Sequence, residues 1–130
     1  MRNREEAKEQ EGIVIKITPI GKPRMTRSDA WRKRVCVCKY WEFKNILVRR
    51  AREESFSITD GLRYIFYFPM PHSWSKKKKL EHFKKPHRQK PDLDNCLKAV
   101  WDSLLVDDSK ISSISGAYKY WSSEGCIWIN

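Results

Sequence analysis

No apolar run in this sequence exceeds a few residues. The longest, in "GIVIKI" and "YIFYF", fall far short of the roughly 20 residues needed to cross a bilayer, so a membrane-spanning protein is not expected. The opening "MRNREEAKEQE" lacks the apolar stretch of a signal peptide, and a soluble, cytoplasmic protein is the expectation. Zinc-type cysteine spacing is also missing. Cys36 and Cys38 form a C-x-C, while Cys96 and Cys126 stand alone, a set that reads as reduced and mostly buried thiols. There is no internal repeat and, apart from one lysine run, no low-complexity tract. Acidic residues are scarce: 16 Asp and Glu face 27 Lys and Arg, for a formal charge of +11. Such an excess calls for a polyanionic partner, nucleic acid or an anionic surface.

What is present fits one folded domain. The 130 residues include six Trp, five Tyr and five Phe, enough for one hydrophobic core. Residues 1–11 read as a flexible polar N-terminus, and 12–130 as a single domain. "GIVIKIT" (12–18) and "GLRYIFYF" (61–68) alternate and are rich in β-formers, so they are predicted strands. Residues 19–29, with two prolines and a glycine, are a loop. From Ala30 to about Glu53 neither Pro nor Gly occurs. Trp31, Val35, Cys38, Trp41, Ile46 and Val48 recur near a spacing of 3.6, predicting a helix capped by Ser28 or Asp29. A short helix is expected within 75–83. A clear one runs from about Asp94 to Leu105, with Leu97, Val100, Trp101, Leu104 and Leu105 on one stripe. "KISSISGAYKYW" (110–121) and "GCIWIN" (125–130) are expected to pair as a hairpin. The order β-α-β-α-β-β predicts an α+β fold, with two main helices on one face of a mixed sheet.

Against the basic background, Asp92, Asp94, Asp102, Asp107 and Asp108 fall within 17 positions, 92–108. In a bland reading Asp92 or Asp94 caps the helix, Lys98 and Asp102 form an exposed i, i+4 pair, and Asp107 and Asp108 make a turn. The context argues for more. Carboxylates beside a phosphate-binding surface repel the ligand unless a cation lies between them, and Mg²⁺ held by two or three carboxylates is such a cation. A calcium loop fails, because Leu97 stands at its glycine and Ser103 at its glutamate. A 12-residue helix is roughly 18 Å long. Asp108 can therefore join Asp92 and Asp94 only if the fold or a partner subunit returns to the start of the helix.

"KPDLDNCLKAVWDSL", followed by "DDSKI", resembles the signature of the RusA-type Holliday junction resolvases of bacteria and their phages. "GKPRMTR" and "FYFPMPHSWSKKKK" are similar to the phage-type branch. The resemblance implies a small α+β homodimeric endonuclease that binds four-way DNA junctions. It would cut two opposing strands with Mg²⁺, or Mn²⁺ as a substitute, and need no small-molecule cofactor. Position by position, it places metal-site aspartates at Asp92, Asp94 and Asp108 and an essential catalytic lysine at Lys98. It leaves Asp102 and Asp107 in structural roles. Cys96, Leu97 and Lys110 depart from the family's usual residues without touching the carboxylates.

Lys76, Lys77, Lys78, Lys79, Lys84, Lys85, Arg88 and Lys90 lie in the sixteen residues 75–90, just before the acidic cluster, and are candidate DNA-backbone contacts. Lys22, Arg24 and Arg27 form a second candidate phosphate site. His72, His82 and His87 sit in basic surroundings that disfavour a general-base role. Trp74 either stacks on an unpaired base or packs under the long loop. Trp31, Trp41 and Trp101 read as core or dimer interface. Two rival functions remain: a non-catalytic basic nucleic-acid-binding module, and a ribosomal-type RNA binder that leaves D-x-D-N-x-x-K unexplained.

Overall fold

A computed structural model describes residues 12–24 and 35–130. The polar N-terminus, Arg27, Trp31 and the proposed caps Ser28 and Asp29 lie outside the described residues. The strands are β1 (Ile13–Ile15), β2 (Leu62–Pro69), β3 (Ile114–Ser122) and β4 (Cys126–Ile129). The helices are α1 (Val35–Glu53), α2 (Lys76–His82) and α3 (Leu93–Leu104), and a 3-10 turn spans Asp108–Lys110. The mixed α+β order agrees with the sequence reading. No helix of the described residues is long and apolar enough to cross a membrane.

Alternation along β2 builds the core. Tyr64, Phe66 and Phe68 are buried on one face, beside Ile127 and Ile129 of β4, Ile13 and Ile15 of β1 and Trp121 of β3. Fully burying each large apolar side chain contributes roughly 1.5–3 kcal/mol. α1 and α3 pack against each other over this face and bring in Phe43, Leu47, Leu97 and Val100. The opposite face is open and carries Val14, Ile65, Tyr67, Tyr118, Tyr120 and Trp128.

The sheet order is β1-β4-β2-β3, which corrects the expected hairpin. β3 pairs in parallel with β2, and β4 pairs antiparallel with both β2 and β1. β2 therefore lies between the two strands that the short "SSEG" connection suggested would pair. At that connection Gly125 passes Thr18 so closely that an added Cβ would stand 2.5 Å from its Cα. The expected face of α1 is also corrected. Its buried residues are Val37, Tyr40, Phe43, Leu47 and Ala51, while Val35 and Trp41 are exposed. Apolar residues occur on both sides of this helix, so spacing alone did not single out the inner one. β1 is shorter than predicted, and β3 starts later because Asp60 takes hydrogen bonds from Ser112 (2.7 and 2.9 Å) and Ser113 (3.4 Å) before the strand begins. Cys96 is buried, and Cys38 and Cys126 are half-buried.

Candidate active site

The start of α3 is held from two sides. From one, the Lys119 ammonium on β3 donates to the carbonyls of Gln89 (2.6 Å) and Pro91 (2.7 Å). From the other, the loop before α1 lies against it, with the Lys22 N–H donating to the Asn95 carbonyl at 3.3 Å. That approach requires glycine at position 21. A Cβ there would stand 2.9 Å from Cβ of Pro91 and 3.1 Å from Nδ2 of Asn95.

Asp92 occupies the N-cap position of α3, yet its carboxylate makes no capping hydrogen bond. It lines a cleft of about 480 Å³ with Lys22, Arg24, Lys90 and Asn95. A neighbouring cleft of about 370 Å³ is lined by Lys22, Lys98, Asp102, Asp107 and Asp108. Lys22 lines both. The chain after α3 thus doubles back far enough to set Asp108 beside Lys98.

Each carboxylate has a different environment. Asp94 pairs with Lys98 at 3.7 Å, one turn along α3, and both are exposed. Asp102 is bound by Tyr40 (2.6 Å), Lys44 (3.1 Å) and Lys22 (3.5 Å). Burial opposes its ionisation, but the bonds from Tyr40 and Lys44 and the lysine charges prevail and hold its carboxyl below the usual range. The same contact raises the Tyr40 phenol, first by burial and then through the Asp102 carboxylate. Asp107 accepts from the Ser109 N–H at 3.0 Å, which secures the 3-10 turn, and the Ser109 side chain and then its N–H lower the Asp107 pKa. Among the described residues, no hydrogen bond or ion pair engages the carboxylate of Asp92 or Asp108. The exposed Lys98–Asp102 pair of the bland reading is absent too: Lys98 faces Asp94, and Asp102 faces α1 and the loop.

Among the described residues, no three His, Cys, Asp or Glu side chains gather around one metal position. Asp92 and Asp108 line different clefts and Asp94 lines neither, so the three aspartates expected to share a metal do not converge on a point. Mg²⁺ is commonly held by one or two carboxylates plus phosphate oxygens and water. The hard oxygen donors of Asp92 and Asp94, two positions apart, suit that mode.

The candidate DNA contacts fall into separate groups. Lys22, Arg24 and Lys90 line the same cleft as Asp92. Lys78, Lys85 and Arg88 line a third cleft beside α2. Lys76 and Lys77 are exposed on α2 and Lys79 is half-buried. Lys84 turns instead to the open sheet face, 4.9 Å from the Tyr67 ring. His87 is buried, with its pKa pushed down to about 4 by burial and then by the Lys119 charge. His82 Nδ1 sits 2.8 Å from the Lys78 carbonyl. Neither lines the two clefts of the aspartates. Three residues of the site escaped sequence reading, Tyr40, Lys44 and Lys119, while Asn95 stood in the D-x-D-N-x-x-K motif without a role assigned to it. Of these three only Lys119 left a signal, as a charged residue among Tyr118, Tyr120 and Trp121.

Comparison with known proteins bears on this arrangement. No curated protein matches the chain. A family model described as endodeoxyribonuclease RusA matches residues 15–130. That span holds all four strands apart from the first two residues of β1, and every carboxylate of the cluster. A match of this extent shows common descent across the whole fold, and the chain belongs to the RusA endodeoxyribonuclease family.

Proposed function

We propose that this protein is a Mg²⁺-dependent endodeoxyribonuclease that resolves four-way DNA junctions in recombination and repair by paired, symmetric strand cuts. The observation that carries the reading is the state of Asp92. It is a carboxylate at a helix N-cap that does not cap, flanked by Lys22, Arg24 and Lys90. Evolution toward stability alone would favour the capping bond, worth about 1 kcal/mol.

In this reading Asp92 and Asp94 would hold the ion, and Asp108, in the turn after α3, would be the third carboxylate available to it. When bound, Mg²⁺ supplies the Lewis-acid charge and activated water of phosphodiester hydrolysis, and Mn²⁺ can take its place. Lys22, Arg24 and Lys90 seat the strand so that the scissile phosphate meets these carboxylates. Lys98, one turn along α3 from Asp94, would set its charge against the phosphate as negative charge builds there. Asp102 is not a ligand in this scheme: it steers Lys22 and is itself steered by Tyr40.

Paired cuts need two sites related by a two-fold axis, so the active form is a homodimer. The open sheet face supports this. Val14, Tyr118 and Trp128 are exposed apolar side chains on it, the kind of surface that a second copy of the chain would cover, with Lys84 over the Tyr67 ring beside them.

The test is incubation of the purified protein with a four-way junction and with matched linear duplex. Cutting of the junction with Mg²⁺ or Mn²⁺, and binding without cutting in EDTA, is the expected result. Binding with no cutting under any metal condition would instead identify the non-catalytic DNA-binding module.

A further inference from the structure

Beside α2, and apart from the two clefts of the aspartates, lies a third cleft of about 520 Å³. Its apolar wall is aromatic. The Trp74 ring is 4.7 Å from His82 and 4.8 Å from Trp121, which is itself buried. Three cations, Lys78, Lys85 and Arg88, stand around it and outnumber the one carboxylate of its lining, Glu81. The Lys78 ammonium rests 4.4 Å from the centre of the Trp74 ring.

We infer that this cleft is a pocket for one unpaired nucleobase of a DNA strand, with Trp74 as its stacking platform. The Trp74 ring packs against the core and also borders the open cleft, with an ammonium near its face. Exposed cation–π contacts are weak, so a base can displace Lys78 from the ring. The displaced ammonium then meets the phosphate that arrives with that base. An uncharged apolar ligand has no use for the three cations, and an acidic peptide has none for the aromatic wall. A nucleotide uses both. Bases in an intact duplex are stacked and paired and cannot enter, so the pocket responds to unpaired positions and ignores linear DNA.

The pocket is tied mechanically to the carboxylates. Arg88 precedes Asp92 by four residues, at most about 14 Å of extended chain. Lys119 pins the intervening segment by the carbonyls of Gln89 and Pro91. At about 3.4 Å per stacked nucleotide, a base in the pocket lies within about four nucleotides of the strand at Asp92. The inference uses the DNA-substrate part of the reading above and none of its metal chemistry.

The experiment measures equilibrium binding in EDTA by the full chain. The probes are a linear duplex, the same duplex with one unpaired adenine, and the same duplex with an abasic analogue at that position. The wild type is expected to prefer the adenine bulge over the abasic bulge by about tenfold. Trp74→Ala should bind the two equally while its affinity for linear duplex stays within about twofold. Equal wild-type affinity for the two bulges, or a preference that survives Trp74→Ala, overturns the inference. Should Trp74→Ala fail to fold, 2-aminopurine as the unpaired base takes its place. Stacking on Trp74 quenches its fluorescence on wild-type binding, and unquenched fluorescence in the complex overturns the inference. Because no cutting is read, a protein that fails to cleave junctions can still pass this test, and a working nuclease can fail it.

Discussion

The Tyr40 hydroxyl donates a 2.6 Å hydrogen bond to Oδ2 of Asp102, so a phenol on α1 fixes a carboxylate on α3, 62 residues away. Hydrogen bonds to charged groups contribute about 1.5–3 kcal/mol. Tyr40→Phe keeps the buried ring, and urea denaturation should register a loss of about that size. The Asp102 carboxyl is held below its usual range. Its stabilising contribution is therefore present above the unfolded value of about 3.9 and lost as pH falls through the lower folded value. Asp102→Asn should flatten that acid limb. An unchanged limb would mean that other carboxylates account for it.

Asp92→Asn and Asp94→Asn are expected to abolish junction cutting while leaving junction affinity in EDTA equal or higher. Each removes a metal ligand and a negative charge close to the DNA backbone. Single-turnover cleavage and a binding titration on one junction measure the two effects. Near wild-type cutting by either variant would remove that residue from the metal site.

Lys98 is separable from the general phosphate track because its nearest charged neighbour is Asp94 at 3.7 Å. Losing one well-placed electrostatic donor typically lowers the rate by about 10²–10³-fold. Lys98→Ala should show a rate loss of that order with only a modest change in affinity. A rate within about threefold of wild type would make it a surface residue.

His87 lies between Phe68 (4.0 Å) and Trp121 (4.3 Å), with Nδ1 buried and without a partner. Its folded pKa is about 4, against about 6.5 for an unfolded histidine. The unfolded chain therefore takes up a proton that the folded chain refuses. Stability should decline as pH drops from about 6.5 to about 4 and then level off. His87→Phe is expected to remove most of that decline, read as the difference in Tm between pH 7 and pH 5. A variant with the same decline would locate the proton uptake elsewhere.

The legible parts of this protein were those encoded by neighbours in sequence. α3 announced itself through Leu97 and Val100, and Asp92, Asp94 and Lys98 through their spacing. What escaped depends on partners far away in the chain. The register of Phe66 with Lys119 places a lysine under α3, and nothing near position 119 points to the carbonyls of Gln89 and Pro91. β3 and β4 alternate well and are joined by a short connection, yet the aromatic face of β2 competes successfully for a place between them. On α1, Trp41 is bulkier than Leu47 but lies on the wrong side, and only the contacts of Tyr40 and Phe43 with the sheet layer decide the face. The two-residue spacing of Asp92 and Asp94 could be read directly, whereas the failure of Asp92 to cap its helix could not.

The backbone of residues 84–87 zips onto the outer side of β3: the Lys84 N–H donates to Trp121, the Trp121 N–H to Lys85, and the His87 N–H to Lys119. A naked strand border is a template for indiscriminate chain-to-chain growth. Here one border is covered by the basic segment itself, and the opposite one, β1, is only three residues long. The lysine-rich stretch thus doubles as a guard against fibre formation. Variants that pry it loose in order to weaken DNA contact should be prone to aggregate, and at low salt they will be easily mistaken for tighter binders.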